Sequence, residues 1–235
     1  MIQTAYHILV ASSPELLEQG KGDIWDSGKI ESDASQWITY QGKTLKCNAP
    51  YYWKVKIDTN KGATNWSALA FWTTGLFNEA DWQGQWIGLD RAALGDSETQ
   101  WSRLAARYLR KEFAVKKSVK RATVHIAGMG LYELFINGQR IGNQVLAPAP
   151  TDYRKTILYN TYDVTSLLQT ENAIGVTLGN GRFYTMRQNY KPYKIPTFGY
   201  PKLRLNLIVE YADGSKETIA TNTSWKLTTE GPIRS

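Results

Sequence analysis

The sequence predicts an all-β protein made of two β-sandwich domains. Short runs rich in aromatic and β-branched residues recur along the 235-residue chain, and clusters of Gly, Asp and Asn separate them. Eight of the nine tryptophans fall within the first 101 residues, and this shift in composition indicates two modules. The segment 77–106 has no sustained hydrophobic period and is interpreted as the connection between them.

The first module, residues 1–76, contains four segments with the composition of strands. Turn-forming clusters such as GKGD and NKGATN separate these segments, as expected for the short strands of a sandwich. Its tryptophans are interpreted as filling between two sheets, with stacking on a sugar as the alternative for any that is exposed. The four predicted strands are AYHILVA, QWITYQGKTL, YYWKVKID and LAFWTTG.

The second module, residues 107–235, contains a hairpin with an explicit turn signal. In ELFINGQRIG the pair Asn137-Gly138 separates two alternating runs, which predicts a two-residue turn with Leu134 opposite Ile141. The pair Asp-Gly in EYADGSKE predicts a second hairpin, and DVTSLLQ predicts a short helical turn with an Asp or Thr cap.

Composition excludes several function classes. No apolar run approaches the roughly 20 residues that span a bilayer. Cys47 is the single cysteine, so no intramolecular disulfide and no thiolate cluster is expected, and His7 and His125 lie in apolar runs typical of strands. The net charge of +7 suggests nucleic-acid binding as a further hypothesis. The basic stretches 107–121 and 182–194 match no recognised nucleic-acid motif, however, and are better interpreted as a solvated strand face and a loop.

Four segments in a fixed order carry a family resemblance: GLYELFINGQRIG, APAPTDYRKTILY, YNTYDVTSLLQTENAIGVTLGNG and YADGSKETIATNTSWKLTTEGPI. This succession resembles the N-terminal region of bacterial α-L-rhamnosidases, which release terminal L-rhamnose from glycosides. The first module, with QTAYHILVASSPELL, resembles the fibronectin type III-like domain that precedes it in these enzymes. The resemblance implies a fibronectin III/immunoglobulin-like sandwich, incomplete for lack of its first strand, followed by a jelly-roll sandwich like a carbohydrate-binding module.

The resemblance also implies a non-catalytic role. In the family the acidic catalytic residues belong to an (α/α)6 barrel, so this chain is expected to be an accessory region whose partner is that barrel. The residues agree, because the 21 carboxylates are scattered and the sequence singles out no pair suited to glycoside hydrolysis. The alternative is an independent module that binds rhamnose-terminated glycans. Homo-oligomerisation stays open, and a periplasmic or secreted location is favoured over a cytoplasmic one.

A carbohydrate site is implied in two loops of the second module. Calcium, which some relatives use to hold L-rhamnose, would take oxygen ligands from Asp152 and Asn180. Arg154 and Lys155 would oppose a divalent ion, so calcium is disfavoured although it stays possible. No cofactor is expected to be required. Each candidate also has a structural alternative: Asp152 as an Asx-turn former and Asn180 as a left-handed residue. The candidate residues are Asp152, Tyr153, Asn180, Arg182, Tyr184, Asn189 and Tyr190.

Overall fold

The computed structural model describes residues 1–91, 104–184 and 198–233, and in these ranges nearly all regular structure is β. The chain divides into two compact units, Met1–Asp81 and Trp82–Ser235. The predicted all-β class is therefore confirmed. Within the described ranges, no helix is long and apolar enough to cross a membrane.

The first unit is built on an antiparallel sheet whose two central strands pair over most of their length. Two short strands flank the first central strand, and two flank the second. The elements are β1 (Gln3–Ala11), α1 (Pro14–Glu18), β2 (Trp25–Asp26), β3 (Ile30–Glu31), β4 (Pro50–Thr59), β5 (Gly62–Ala63), β6 (Ala70–Thr73) and a 3₁₀ helix, Glu79–Asp81.

A small buried core lies between β1 and the helix α1. Leu9 and Ala11 of β1 pack with Leu17 of α1, and all three are buried. Pro14 occupies the first turn of the helix, where its missing N–H costs no intrahelical hydrogen bond. The helix therefore covers one end of the sheet.

The prediction of a strand at QWITYQGKTL is wrong, because residues 32–49 contain no strand. Trp37 has a φ of 59°, which strand backbone does not adopt. Tyr40 instead packs edge-on against Trp25 with ring centroids 5.3 Å apart, and its hydroxyl donates to the Lys43 carbonyl over 2.6 Å. The aromatic residues of this segment thus lie against the sheet or in solvent instead of pairing in it.

The interpretation of the first-module tryptophans as buried filling is wrong for Trp37, whereas Trp66 packs against the small core of this unit. Trp37 is 95% exposed. The other tryptophans of the first unit are half-buried on the sheet or beside it; they are Trp25, Trp53, Trp66 and Trp72.

The second unit is a sandwich of two antiparallel sheets. One sheet has the strand order β11-β10-β13-β8-β16, and the other has the order β12-β9-β14-β15 with β7 beside β14. The elements are β7 (Ile87–Gly88), β8 (Arg107–Ala114), β9 (Val119–Met129), β10 (Leu131–Ile136), β11 (Gln139–Ile141), β12 (Tyr159–Asp163), a 3₁₀ helix (Thr165–Leu167), β13 (Glu171–Gly179), β14 (Lys202–Tyr211), β15 (Lys216–Ala220) and β16 (Lys226–Thr228).

Alternate residues of both sheets form one shared core. The predicted hairpin is confirmed: Leu134 lies opposite Ile141, and both pack into that core. Asn137 and Gly138 have positive φ values of 51° and 81°, as a type I′ turn requires. Both histidines lie in strands as expected, with His125 fully buried in β9.

Gly130 is the single residue between β9 and β10, which belong to different sheets. Its φ of +134° is a backbone conformation that glycine adopts and L side chains rarely do. A Cβ at this position would lie 2.3 Å from the carbonyl oxygen of Gly179. The chain can therefore pass from one sheet to the other in one residue only with glycine there.

The predicted connection, 77–106, is partly described. Ile87–Gly88 pairs with β14 within the second unit, whereas residues 92–103 lie outside the described residues. The module boundaries stay a prediction.

Candidate functional site

Aromatic contacts join the two loops in which the sequence predicts a carbohydrate site. Tyr153 packs edge-on against both Phe183 and Phe198, with ring centroids 5.3 Å apart in each pair. Phe183 and Phe198 stack on each other at 6.0 Å. The loop that carries Tyr153 is thereby held against the turn that carries Phe183.

A cavity of ≈ 320 Å³ lies beside this cluster, at the ends of β9 and β14. Its volume is in the range of small-molecule sites, about 300–1,000 Å³. We call it the aromatic pocket, and its apolar lining consists of Trp86, Met129, Phe183, Phe198 and Tyr200.

One ion pair supplies the charged groups of the aromatic pocket. The Nζ atom of Lys202 lies 3.0 Å from Oδ2 of Asp90, and both residues line the cavity. Such an exposed pair adds little to stability. It does place a donor and an acceptor beside aromatic faces, which is the combination that binds the hydroxyl groups and C–H faces of a sugar.

The predicted site residue Asp152 acts as a turn former. Its Oδ1 accepts hydrogen bonds from the backbone N–H of Arg154 over 3.3 Å and from Nε of Arg154 over 3.0 Å. These bonds from Arg154 lower the pKa of Asp152. The Asx-turn alternative is therefore confirmed.

Asn180 connects the second loop to the start of the sandwich. Its Nδ2 donates to the carbonyl of Leu104 over 3.3 Å, and its backbone carbonyl accepts from the N–H of Tyr184 over 3.2 Å. The left-handed conformation expected of Asn180 is found instead at Gly181, whose φ is 52°. That alternative for Asn180 is wrong.

The remaining predicted residues surround the aromatic cluster. Tyr184 stacks on Tyr200 of the aromatic pocket at 5.6 Å. Arg182 is exposed, and its charge opposes the rise that burial causes in the pKa of Tyr153. Asn189 and Tyr190 lie outside the described residues.

One of the two predicted calcium ligands is already engaged by a neighbouring side chain. A calcium ion takes about six to eight oxygen ligands, and the Asp152 carboxylate is occupied by the Arg154 guanidinium. In the described part of the chain, no group of three or more His, Cys, Asp or Glu side chains could hold a metal ion.

The sequence interpretation missed the residues that form the pocket walls. The sequence places Trp86 in the connection and indicates no role for Tyr200 or Lys202. Only the short motifs WQGQWIG and TFGYPK, aromatic residues next to turn-forming ones, could have indicated them.

Two family patterns match the chain. Residues 117–235 match the α-L-rhamnosidase N-terminal domain, which is about half of the chain. The chain belongs to this family. Residues 1–78 match the Rha78A-like, N-terminal immunoglobulin domain. The predicted family is thus confirmed, and so is an immunoglobulin-like first domain, whereas the narrower fibronectin type III and jelly-roll assignments stay predictions.

Relatives named α-L-rhamnosidase match nearly the whole chain. One from Formosa agariphila is 38% identical over 98% of this chain and 26% of its own length. Solved α-L-rhamnosidases from Dictyoglumus thermophilum (40% identity, TM-score 0.83) and Aspergillus terreus (32%, TM-score 0.84) match 97% and 100% of this chain and 26% of their own. The chain therefore spans about a quarter of the length of these relatives.

Proposed function

We propose that this chain is a non-catalytic N-terminal region of an α-L-rhamnosidase, and that it packs against the catalytic domain and supports it. One observation carries the proposal: α-L-rhamnosidases about four times as long match it end to end over about a quarter of their own length. A family domain with a rigid two-sheet core is suited to present a fixed surface to a neighbouring domain.

A chimera tests the supporting role. The quarter of the Dictyoglumus thermophilum enzyme that matches this chain is replaced by this chain, and hydrolysis of p-nitrophenyl α-L-rhamnopyranoside is measured. The chimera is expected to retain activity that the enzyme without this quarter loses, and this chain alone is expected to release no nitrophenol. Turnover by this chain alone, or full activity without the quarter, would contradict the proposal.

A second candidate function is the binding of rhamnose-terminated glycans. The aromatic pocket favours it, because aromatic walls and the Lys202–Asp90 pair are suited to a sugar ring. Homo-oligomerisation and location stay predictions without a specific observation.

Isothermal titration of this chain with L-rhamnose, in calcium and again in chelator, tests this second function. If L-rhamnose binds in both buffers and Trp86→Ala abolishes this binding, the result would support the aromatic pocket as the sugar site. Trp37→Ala is the matched control, because Trp37 is exposed in the first unit. If Trp37→Ala abolishes the heat instead, the sugar stacks on the first unit. Binding heat that is seen only in calcium would indicate a calcium-dependent site with Asp152 and Asn180 as ligands.

A further inference from the structure

Strand β13 carries small side chains on its outer face. Along this strand, alternate residues point to opposite faces of the sheet. The inward set lies in the core of the second unit: Ile174, Val176 and Leu178. The outward set leaves the middle of the sheet without bulk: Ala173, Gly175 and Thr177.

Larger residues rise on both sides of this strand and turn the outer face into a groove. Phe135 of β10 and Arg110 of β8 both lie directly opposite Gly175, and Lys226 of β16 lies opposite Arg110. Neighbouring strands are about 4.8 Å apart, so Phe135 and Arg110 flank a channel about 10 Å across. The cavity volume is ≈ 570 Å³, and we call it the outer groove.

Tyr108 forms a second aromatic part of the outer groove, opposite Thr177 and Thr228. The segment that follows β16 holds its ring in place. A Cβ at Gly231 would lie 2.0 Å from that ring, and the N–H of Ile233 donates to the Tyr108 hydroxyl over 3.1 Å. The groove therefore has Phe135 on one side and a fixed Tyr108 on the other.

A smaller polar cavity of ≈ 130 Å³ shares Arg110 and Lys226 with the outer groove. Lys111 also lines it and donates to the Ser224 hydroxyl over 2.8 Å. Glu112 is its one carboxylate and forms an ion pair with Arg110. Lys226 has no ion-pair partner among the described residues. Three cations thus face one anion, and the cavity carries a net positive charge.

The charge of the whole unit has the same sign. Residues 82–235 contain 21 Lys and Arg against 12 Asp and Glu, whereas residues 1–81 contain 7 against 9. The positive charge of the protein belongs to the second unit, so an anionic ligand is attracted to this unit before it makes contact.

We propose that the outer groove and its adjoining polar cavity bind a saccharide that carries a carboxylate or sulfate group. Sugar rings lie over Gly175 with their C–H faces against Phe135 and Tyr108. The anionic group enters the polar cavity and accepts hydrogen bonds from Arg110 and Lys226. The choice of a saccharide rests on the proposed function, since a region of a glycoside-cleaving enzyme meets saccharides.

Binding of short oligogalacturonates to this chain, measured by isothermal titration at low and high salt, tests the proposal. The methyl esters of the same oligosaccharides keep the rings and remove the charge, and dextran sulfate with dextran forms the corresponding sulfate pair. A single-stranded oligodeoxynucleotide serves as the control polyanion that is not an oligosaccharide. We expect binding of the acids, or of dextran sulfate, but not of the neutral partners, and weaker binding at high salt.

Three variants locate the site. Lys226→Ala is expected to weaken binding about tenfold, because it removes one charge-assisted contact. Gly175→Ile fills the groove and is expected to abolish binding. A Cβ there meets no atom closer than 3.8 Å, and urea unfolding checks that the variant folds. Lys120→Ala is the control, since it removes the same charge from an exposed residue of β9 in the other sheet.

The outcomes separate this proposal from the supporting role. Absence of binding by every saccharide, equal binding of the acids and their esters, or an equal loss in Lys120→Ala would overturn the groove proposal. Equally tight binding of the oligodeoxynucleotide through the same residues would overturn the saccharide as its occupant. None of these results would alter the activity of the chimera, which tests the supporting role by itself.

Discussion

The side-chain amide of Asn137 donates a hydrogen bond to Oδ1 of the buried Asn172 over 2.9 Å, and so joins a hairpin turn to the start of β13. Asn137 also donates to the Leu167 carbonyl and accepts from the N–H of Ala173, each over 2.9 Å. The turn residue that the sequence marks for its backbone conformation therefore also connects three segments of the sandwich.

Asn137→Gly is expected to lower the free energy of unfolding of the second unit by about 2–3 kcal/mol. Glycine keeps the positive φ of the turn, so the loss reports the three side-chain hydrogen bonds, each worth about 0.5–1.5 kcal/mol. Urea unfolding with a separate transition for each unit measures it. Asn143→Gly, at an exposed position, is the control and should have little effect. Equal losses in the two variants would show that the hydrogen bonds contribute nothing.

Gly130→Ala is expected to destabilise the second unit by more than about 3 kcal/mol, since it combines a strained φ with a clash against backbone. Gly175→Ala makes the same change where φ is ordinary and the nearest atom is 3.8 Å away, and it should be neutral or slightly stabilising. Urea unfolding of the two variants compares them directly. Wild-type stability in Gly130→Ala would mean that the sheet crossing tolerates a side chain.

His125 makes the stability of the second unit dependent on pH. Burial, and then the charge of Arg121, lower the pKa of His125 from 6.5 to about 4. As the pH falls below 6.5, the His125 imidazole is protonated in the unfolded chain but stays neutral in the folded chain. The contribution of neutral His125 to the free energy of unfolding is therefore fully present above pH 6.5. It falls by about 3 kcal/mol as the pH is lowered towards 4.

Urea unfolding from pH 7.5 to 4.5 measures this slope. His125→Gln removes the titrating group and should flatten the curve, whatever its own stability, whereas His7→Gln should leave the contribution of His125 in place. An unchanged slope in His125→Gln would assign the pH dependence to other groups.

Local sequence signals predicted those parts of the fold that are determined locally. The Asn137-Gly138 turn is encoded within a few residues and is confirmed. The alternation of buried and outward residues in β13 is equally local. The segment QWITYQGKTL has strand composition, but its aromatic residues are satisfied by packing on the sheet, and local propensity does not register such contacts.

The candidate site was harder to predict, because its walls come from segments far apart in the chain. Trp86, Tyr153 and Tyr200 meet only after the sandwich has formed. The chemistry of the loop residues indicates a ligand site, yet Asp152 uses its carboxylate to hold its own turn. A carboxylate in a loop has the same sequence signature in both roles.

The residues on the two faces of β13 are under different selective constraints. Substitution at Ala173, Gly175 or Thr177 reshapes the outer surface, while the core continues to be filled by the residues that alternate with them. Neither set restricts the other, since their side chains never share a face. Descendants of this chain can therefore diverge in what the outer groove accepts while they inherit the same core.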